Sequence, residues 1–211
     1  MFEKLDKTDF MNAEEADGLG VTLNMPIDNK YFRPHSGFFT SIGYIAHQVA
    51  MIEDEIRQSM FQITEDYEAV IEQTGKNSNR NLGGLISLYE LVFLAKFGSD
   101  EYLKKCFYAV KELALKANKY RNEAVHSNWM FIGRGASKPC FEDRKRDGYV
   151  IISPKLMRER AIFVYTVYEY IKHLRAVTED PGSYSPEFIV EARSNLQNLL
   201  NRVLKIRRYK K

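Results

Sequence analysis

The stretch SGFFTSIGYIAHQVAMIEDEIRQSMFQITEDYEAV, residues 36–70, decides the fold class. Its apolar residues recur at steps of three and four: Phe38, Ile42, Ile45, Val49, Ile52, Ile56, Met60, Ile63, Tyr67 and Val70. This period predicts one long amphipathic helix, or two nearly continuous ones, with Ser36 at the N-cap. The polar segment GKNSNRN, residues 75–81, ends the helical pattern.

A second and a third helix follow directly. The second ends at Gly98, since glycine commonly caps a helix C-terminus. Ser99 is the predicted N-cap of the third helix, and the acidic Asp100 and Glu101 suit the positive end of its dipole. The apolar faces are Leu82, Leu85, Tyr89 and Val92 in the second helix, and Leu103, Cys106, Val110, Leu113, Ala117, Tyr120 and Ala124 in the third.

Two Ser-Pro pairs mark the starts of a fourth and a fifth helix. Ser153-Pro154 and Ser185-Pro186 each place serine at the N-cap and proline at the first helical position. The apolar faces are Met157, Ala161, Val164, Tyr168 and Ile171, then Ile189, Ala192, Leu196, Leu199, Val203 and Ile206. Five helices joined by turns predict an all-α, up-and-down bundle over residues 36–211.

Two segments depart from the helical pattern. Residues 1–35 show no sustained period and are predicted to form an irregular N-terminal arm. After the third helix, NWMFI (128–132) and YVIIS (149–153) have the composition of strands, with a polar, turn-rich segment between them. We therefore predict a small β-hairpin or extended flap, over about residues 128–153, inserted into the helical domain.

Composition limits the kinds of function. The formal net charge of +3 is too small to indicate a nucleic-acid binder by bulk charge. Two cysteines without a C-x-x-C pair, and four histidines that are not at ligand spacing, predict neither a metal site nor a cofactor. The N-terminus, MFEKLDKTDF, is too charged for a signal peptide, and no apolar run reaches the length of a membrane span. We expect a cytoplasmic protein that does not enter the membrane.

One motif stands out from this background. In NKYRNEAVHSNW, residues 118–129, the third helix ends with Arg121, Asn122 and His126. Cleaving RNA without a metal requires a base for the ribose 2′-OH and a cation for the phosphate. The imidazole of His126 can act as a base or an acid, and Arg121 has the forked donors that phosphate prefers. Asn122 could bind the phosphate or orient His126, its neighbour at i+4.

The spacing within the motif raises a geometric question. Five residues turn a helix by about 140°, so Arg121 and His126 should point to different sides. Because the motif contains no glycine or proline to break the helix, we expect a composite site to which two protomers contribute. The alternative is purely structural: Arg121 pairs with Glu123 or with a carboxylate of a neighbouring helix, and His126 stabilises the helix dipole.

A helical bundle with Arg, a polar residue and then His at the end of an interior helix resembles the HEPN superfamily, over about residues 36–206. The resemblance implies a metal-independent endoribonuclease of toxin–antitoxin or antiviral type, a homodimer with both motifs at the interface. It implies Arg121, Asn122 and His126 as catalytic residues, a 2′,3′-cyclic phosphate product, and an antitoxin as a partner protein. Other members of the superfamily are non-catalytic, so the alternative is a helical module that binds a protein or a nucleotide.

Two basic segments are predicted to contact RNA. Arg144, Lys145 and Arg146 lie in the inserted flap, close in sequence to the motif. Arg207 and Arg208 lie in the terminal segment KIRRYKK, in which Tyr209 could stack on a base. Both segments also fit a simpler role, the first as a polar turn and the second as a positively charged helix end.

Overall fold

The computed structural model describes residues 9–12, 21–22, 29–64, 72, 82–127, 129–132, 138–143, 148–179 and 182–209. Of residues 9–12, 21–22, 29–35, 131–132, 143 and 204–209 it describes the backbone alone. These ranges contain, in chain order, β1 (Asp9–Asn12), β2 (Val21–Thr22), α1 (Asn29–Thr64), α2 (Leu82–Phe97), α3 (Glu101–His126), β3 (Trp129–Ile132), β4 (Lys138–Asp143), β5 (Gly148–Ile151), α4 (Pro154–Thr178) and α5 (Pro186–Tyr209). The prediction of a helical protein with a small β insert after the third helix is confirmed. Within these ranges, no helix combines the length and the apolar composition that crossing a bilayer requires.

Both Ser-Pro pairs start helices as predicted. Ser153 Oγ accepts a hydrogen bond from the amide of Leu156 at 3.1 Å, and α4 begins at the intervening proline. Ser185 Oγ accepts one from the amide of Phe188 at 3.2 Å, at the start of α5. Each serine therefore satisfies one amide that the first helical turn leaves without a partner.

The turn between α2 and α3 differs from the prediction by one residue. Asp100, rather than Ser99, is the N-cap of α3. Its Oδ1 accepts hydrogen bonds from the backbone amides of Tyr102 at 2.9 Å and Leu103 at 3.0 Å. Aspartate adds a negative charge at the positive end of the helix dipole, which a serine hydroxyl cannot supply. Gly98 does follow the end of α2, where a Cβ would lie 2.4 Å from the carbonyl oxygen of Leu94.

The first helix begins earlier than its apolar stripe indicates. It starts at Asn29, so the prediction of Ser36 as its N-cap is wrong. Pro34 lies inside the helix, where it removes one backbone donor from the second turn. In a helix of 36 residues, the loss of that single backbone hydrogen bond does not end the helical structure. The helix is described as far as Thr64, and the predicted stripe positions Tyr67 and Val70 lie outside the described residues.

The inserted strands belong to a five-stranded sheet and not to a two-stranded hairpin. Its order is β1-β5-β4-β3-β2, and every described pairing is antiparallel. The predicted strands β3 and β5 both pair with β4, whose sequence KPCFED lies in the segment predicted to be polar and turn-rich. Both edge strands come from the N-terminal segment, where β1 pairs with β5 and β2 pairs with β3.

The chain divides into two compact units. The first comprises residues 1–47 and 120–163 and contains the sheet, whereas the second comprises residues 48–119 and 164–211. The boundaries fall inside α1, α3 and α4. In the second unit, the predicted apolar faces are buried at these positions: Val49, Ile52, Ile56, Met60, Leu82, Leu85, Tyr89, Cys106, Val110, Leu113, Ala117, Val164, Ile171, Ala192, Leu196 and Leu199.

Aromatic side chains organise the first unit around Trp129. The Trp129 ring meets Phe38 of α1 edge to face, with 4.9 Å between ring centres. It meets Phe141 of β4 in the same way at 5.4 Å. One face of the sheet buries Met130, Cys140 and Ile151. The start of β3 is therefore fixed between α1 and β4, only three residues after the end of α3.

Candidate functional site

The motif residues occupy the last turns of α3, which runs without interruption to His126. Tyr120 and Ala124, at the buried stripe positions, fix this end of the helix in the first unit. Arg121 is half-buried, whereas Asn122 and His126 are exposed. The helix thus presents the motif at its surface from a rigidly packed base.

The three polar side chains meet within one chain. Nη1 of Arg121 lies 2.7 Å from Nε2 of His126 and 3.2 Å from Oδ1 of Asn122. The expectation that a helix of this geometry keeps Arg121 and His126 apart is therefore wrong. A helical wheel gives only the direction in which each side chain leaves the backbone, and the long arginine side chain reaches around the helix.

The contact between Arg121 and His126 defines the state of the imidazole. A guanidinium group can only donate hydrogen bonds, so Nε2 of His126 must accept. Nε2 therefore carries no proton, and the neutral ring holds its proton on Nδ1. In the same way, Oδ1 of Asn122 is the acceptor for Arg121. The lone pair of Nε2, which a general base would use, is held by Arg121 in this structure.

Beneath the motif lies an ion pair that the sequence prediction missed. Nη1 of Arg160, in α4, donates to Oε2 of Glu123 at 2.8 Å. Its guanidinium carbon also lies 4.5 Å from the centre of the Tyr120 ring, at cation–π distance. The Arg160 side chain is only 2% exposed, against 23% for Glu123. The residue between Asn122 and Ala124 thus binds α3 to the first turns of α4.

A sequence signal for Arg160 exists in retrospect. It lies three residues after Met157 and four before Val164, both on the predicted inner face of α4. An arginine at such a position must find a carboxylate, because a buried charge without a partner is costly. The position of Arg160 on the inner face therefore predicts a buried, paired charge, but only the fold identifies Glu123 as the partner.

The end of α3 is closed by the tryptophan that follows the motif. Nε1 of Trp129 donates to the carbonyl oxygen of Ala124 at 2.8 Å. That carbonyl is one of the last four of the helix, which have no amide partner within it. Because Trp129 also packs on Phe38 and Phe141, the helix end is held against α1 and the sheet. Trp129 thus closes the end of α3.

The side chains of the two predicted basic segments lie outside the described part of the chain. Arg144, Lys145 and Arg146 lie outside the described residues. Arg207 and Arg208 belong to the last turns of α5, and their side chains are likewise outside the description. Their proposed contacts with RNA stay a prediction.

Three other side chains with reactive groups, those of Cys106, Cys140 and His173, are buried. Burial raises the pKa of the thiols of Cys106 and Cys140 to about 11, so both are unreactive near neutral pH. His173 is buried in the second unit, and burial lowers its pKa. In the described part of the chain, no three His, Cys, Asp or Glu side chains gather in a way that could hold a metal ion.

The cluster of Arg121, Asn122 and His126 therefore offers a permanent cation, an amide and an imidazole at one exposed helix end. Such a set can bind an oxyanion and exchange a proton beside it. The chain matches no protein-family model, no curated protein and no solved structure. A function for this cluster has to be inferred from the chemistry of its three side chains.

Proposed function

We propose that the protein is a HEPN-like, metal-independent endoribonuclease of toxin–antitoxin or antiviral-defence type. The observation that supports this proposal is the meeting of Arg121, Asn122 and His126 within hydrogen-bond distance at an exposed helix end. RNA carries its nucleophile, the 2′-OH, beside the phosphate that it attacks. A base and an oxyanion-binding cation, held close together, are the groups that this reaction requires.

In the proposed reaction, an RNA phosphate competes with His126 for Arg121. A phosphate is an anion that accepts two hydrogen bonds from the guanidinium fork, so it is a stronger partner than a neutral imidazole. As Arg121 turns to the phosphate, it releases the lone pair of Nε2 of His126. Nε2 then accepts the proton of the 2′-OH, and the amide of Asn122 supports either the phosphate or the ring.

The bond changes follow from that proton transfer. The 2′-oxygen attacks phosphorus, the bond between phosphorus and the 5′-oxygen breaks, and a 2′,3′-cyclic phosphate forms. The departing 5′-oxygen needs a proton, which water or the protonated imidazole of a second copy can supply. We propose a homodimer with both motifs in one cleft, since that arrangement provides a base and an acid together. A toxin of this kind would be held inactive in the cell by an antitoxin protein.

The test is cleavage of a fluorescent RNA in the presence of excess EDTA. Wild type should cleave, and His126→Ala, Arg121→Ala and Asn122→Ala should lose activity. Matched controls at exposed positions are His47→Ala, Arg158→Ala and Asn198→Ala, which should cleave like wild type. An RNA with deoxyribose at the cleavage position should resist, because it lacks the nucleophile. Cleavage that requires added divalent ions, or that survives His126→Ala, would contradict the proposal.

The second candidate is a non-catalytic helical module that binds a protein or a nucleotide. The observation that favours it is the 2.7 Å contact itself, since Arg121 and His126 satisfy each other without a substrate. A module of this type would bind a protein or a nucleotide without changing it. Light scattering separates the two candidates further, because the nuclease with a shared cleft has to be a dimer.

A further inference from the structure

A second polar network lies in the second unit, distant in sequence from the motif. Arg175 of α4 donates to Oε2 of Glu55 at 2.8 Å, to Gln58 at 2.7 Å and to Gln62 at 3.0 Å, all on α1. It also donates to Oε1 of Glu179. The side chains of Arg175, Glu55 and Glu179 are 13%, 14% and 4% exposed. The network is therefore largely removed from water.

The charges of this network do not balance. One guanidinium faces two carboxylates, which leaves a net negative charge within it. Oε2 of Glu179 is buried and has no hydrogen-bond partner among the residues that the structure describes. Burial raises the pKa of Glu179, and the contact with Arg175 opposes that rise only in part. A buried carboxylate oxygen without a donor is unfavourable, so the site lacks one positively charged or donating group.

A cavity adjoins this unsatisfied carboxylate. Its volume is about 520 Å³, and its wall includes Glu179, Gln62, Lys96, Phe97, Thr178 and Ser183. That volume lies in the range of pockets that hold small organic ligands. Among the described residues of the wall, one is anionic, one is cationic and exposed, and two, Phe61 and Phe97, are aromatic. Ser59, which also lines the cavity, hydrogen-bonds Tyr89 at 2.8 Å and so belongs to a fixed part of the wall.

We propose that this cavity binds a small zwitterionic amine, whose ammonium group pairs with Glu179 and whose carboxylate faces Lys96. The ammonium supplies the donor that Oε2 lacks and neutralises the extra negative charge of the network. The carboxylate balances Lys96, which would repel a ligand that is only cationic. Glu179 lines the cavity, and its terminal torsion is soft, so its carboxylate can turn to meet the ammonium group of a ligand. Phe97 offers an apolar surface to a short carbon chain between the two charged groups.

The probe is 4-aminobutanoate, and butanoate, which lacks the ammonium group, is its matched control. We expect 4-aminobutanoate to raise the melting temperature of wild type saturably, by about 3 °C, and butanoate to have no such effect. Calorimetric titration should show tenfold or more weaker binding, on the order of the loss of one charged hydrogen bond, in Glu179→Gln. Glu191→Gln, at an exposed position of α5, should bind like wild type.

A second variant keeps the test decisive if Glu179→Gln does not fold. Ser183→Trp fills the cavity from its exposed side without changing the network, and it should abolish binding. The proposal is overturned if wild type shows no saturable binding of 4-aminobutanoate. It is also overturned if butanoate binds equally well, or if Ser183→Trp binds as wild type does. None of these outcomes depends on whether the protein cleaves RNA.

Discussion

The Arg121 guanidinium donates a hydrogen bond to Nε2 of His126 across 2.7 Å, between two residues five positions apart on one helix. This contact predicts that the neutral His126 ring is protonated on Nδ1 in the free protein. Long-range ¹H–¹⁵N correlation spectra distinguish the two tautomers directly. Arg121→Ala should return His126 to the mixture seen for a free imidazole, with exposed His47 as the internal reference. A dominant Nε2–H tautomer in wild type would show that the contact does not persist in solution.

Removing the imidazole should affect cleavage far more than folding. His126 is exposed at a helix end, so His126→Ala should lower the free energy of unfolding by about 1 kcal/mol or less. The same change removes the proton-transfer group and should slow RNA cleavage at least about a hundredfold. Thermal unfolding and cleavage of a fluorescent RNA are measured on the same preparations. If His126→Ala unfolds the protein, the residue is structural and the nuclease proposal fails.

Replacing the arginine separates its charge from its shape. Arg121→Ala should abolish cleavage and destabilise more than His126→Ala, because Arg121 is half-buried whereas His126 is exposed. Arg121→Lys keeps the charge but cannot bind phosphate with a planar fork, so it should restore little activity. Full activity in Arg121→Lys would mean that only a positive charge is needed there.

The pair formed by Arg160 and Glu123 should be important for stability. Glu123→Gln removes the charge that neutralises an almost fully buried guanidinium and should cost about 3 kcal/mol in urea unfolding. Glu53→Gln breaks the more exposed pair between Glu53 and Arg57, and it should cost less than about 1 kcal/mol. Equal losses in the two variants would contradict the assignment of Arg160 as a buried anchor.

The N-cap of α3 can be tested by two neighbouring substitutions. Asp100→Ala removes the oxygen that accepts the amides of Tyr102 and Leu103, and it should lower the free energy of unfolding by about 1 kcal/mol. Ser99→Ala, one residue earlier at an exposed position, should change it by less than about 0.5 kcal/mol. Chemical denaturation of both variants checks the order. A larger loss at Ser99 would restore the assignment made from the sequence.

Acidification should weaken the second unit through His173. Burial against Tyr170 and Phe188 lowers its pKa below the ordinary value of 6.5, so the unfolded state binds a proton more readily than the folded state. The stability that this group contributes is complete above pH 6.5 and is lost as the pH falls below it. His173→Phe keeps an aromatic ring and removes the titration. The difference in unfolding free energy between wild type and His173→Phe should therefore be constant at neutral pH and shift against wild type in acid.

Local chemistry explains which parts of the fold the sequence predicts. Ser153 and Ser185 were identified correctly because a serine cap followed by proline acts over three residues, within the window that a sequence pattern covers. The strand Lys138–Asp143 was missed because Pro139 and the charged residues around Phe141 resemble a turn. Its strand structure is stabilised by partners on both sides, which no local pattern records.

The sequence identifies which residues form the candidate cluster, but it does not predict how their side chains contact each other. The residue types in the motif indicated its chemistry, and all three side chains do meet. Their meeting within one chain depends on the length of Arg121, which a helical wheel ignores. Arg160 was missed for a different reason: its charge is neutralised by Glu123, 37 positions earlier in the chain. Contacts of that range come from the fold alone.

The pairing of the edge strands also limits when the sheet can be completed during folding. Asp9 pairs with Ile151, roughly 140 positions later in the chain, so β1 has no partner until β5 has left the ribosome. Closing so long a loop is slow, because the entropy cost comes before the pairing that repays it. Until then β1 is unpaired and available to other chains. Completion of the five-stranded sheet that follows α3 is therefore a late, chain-length-dependent event in synthesis.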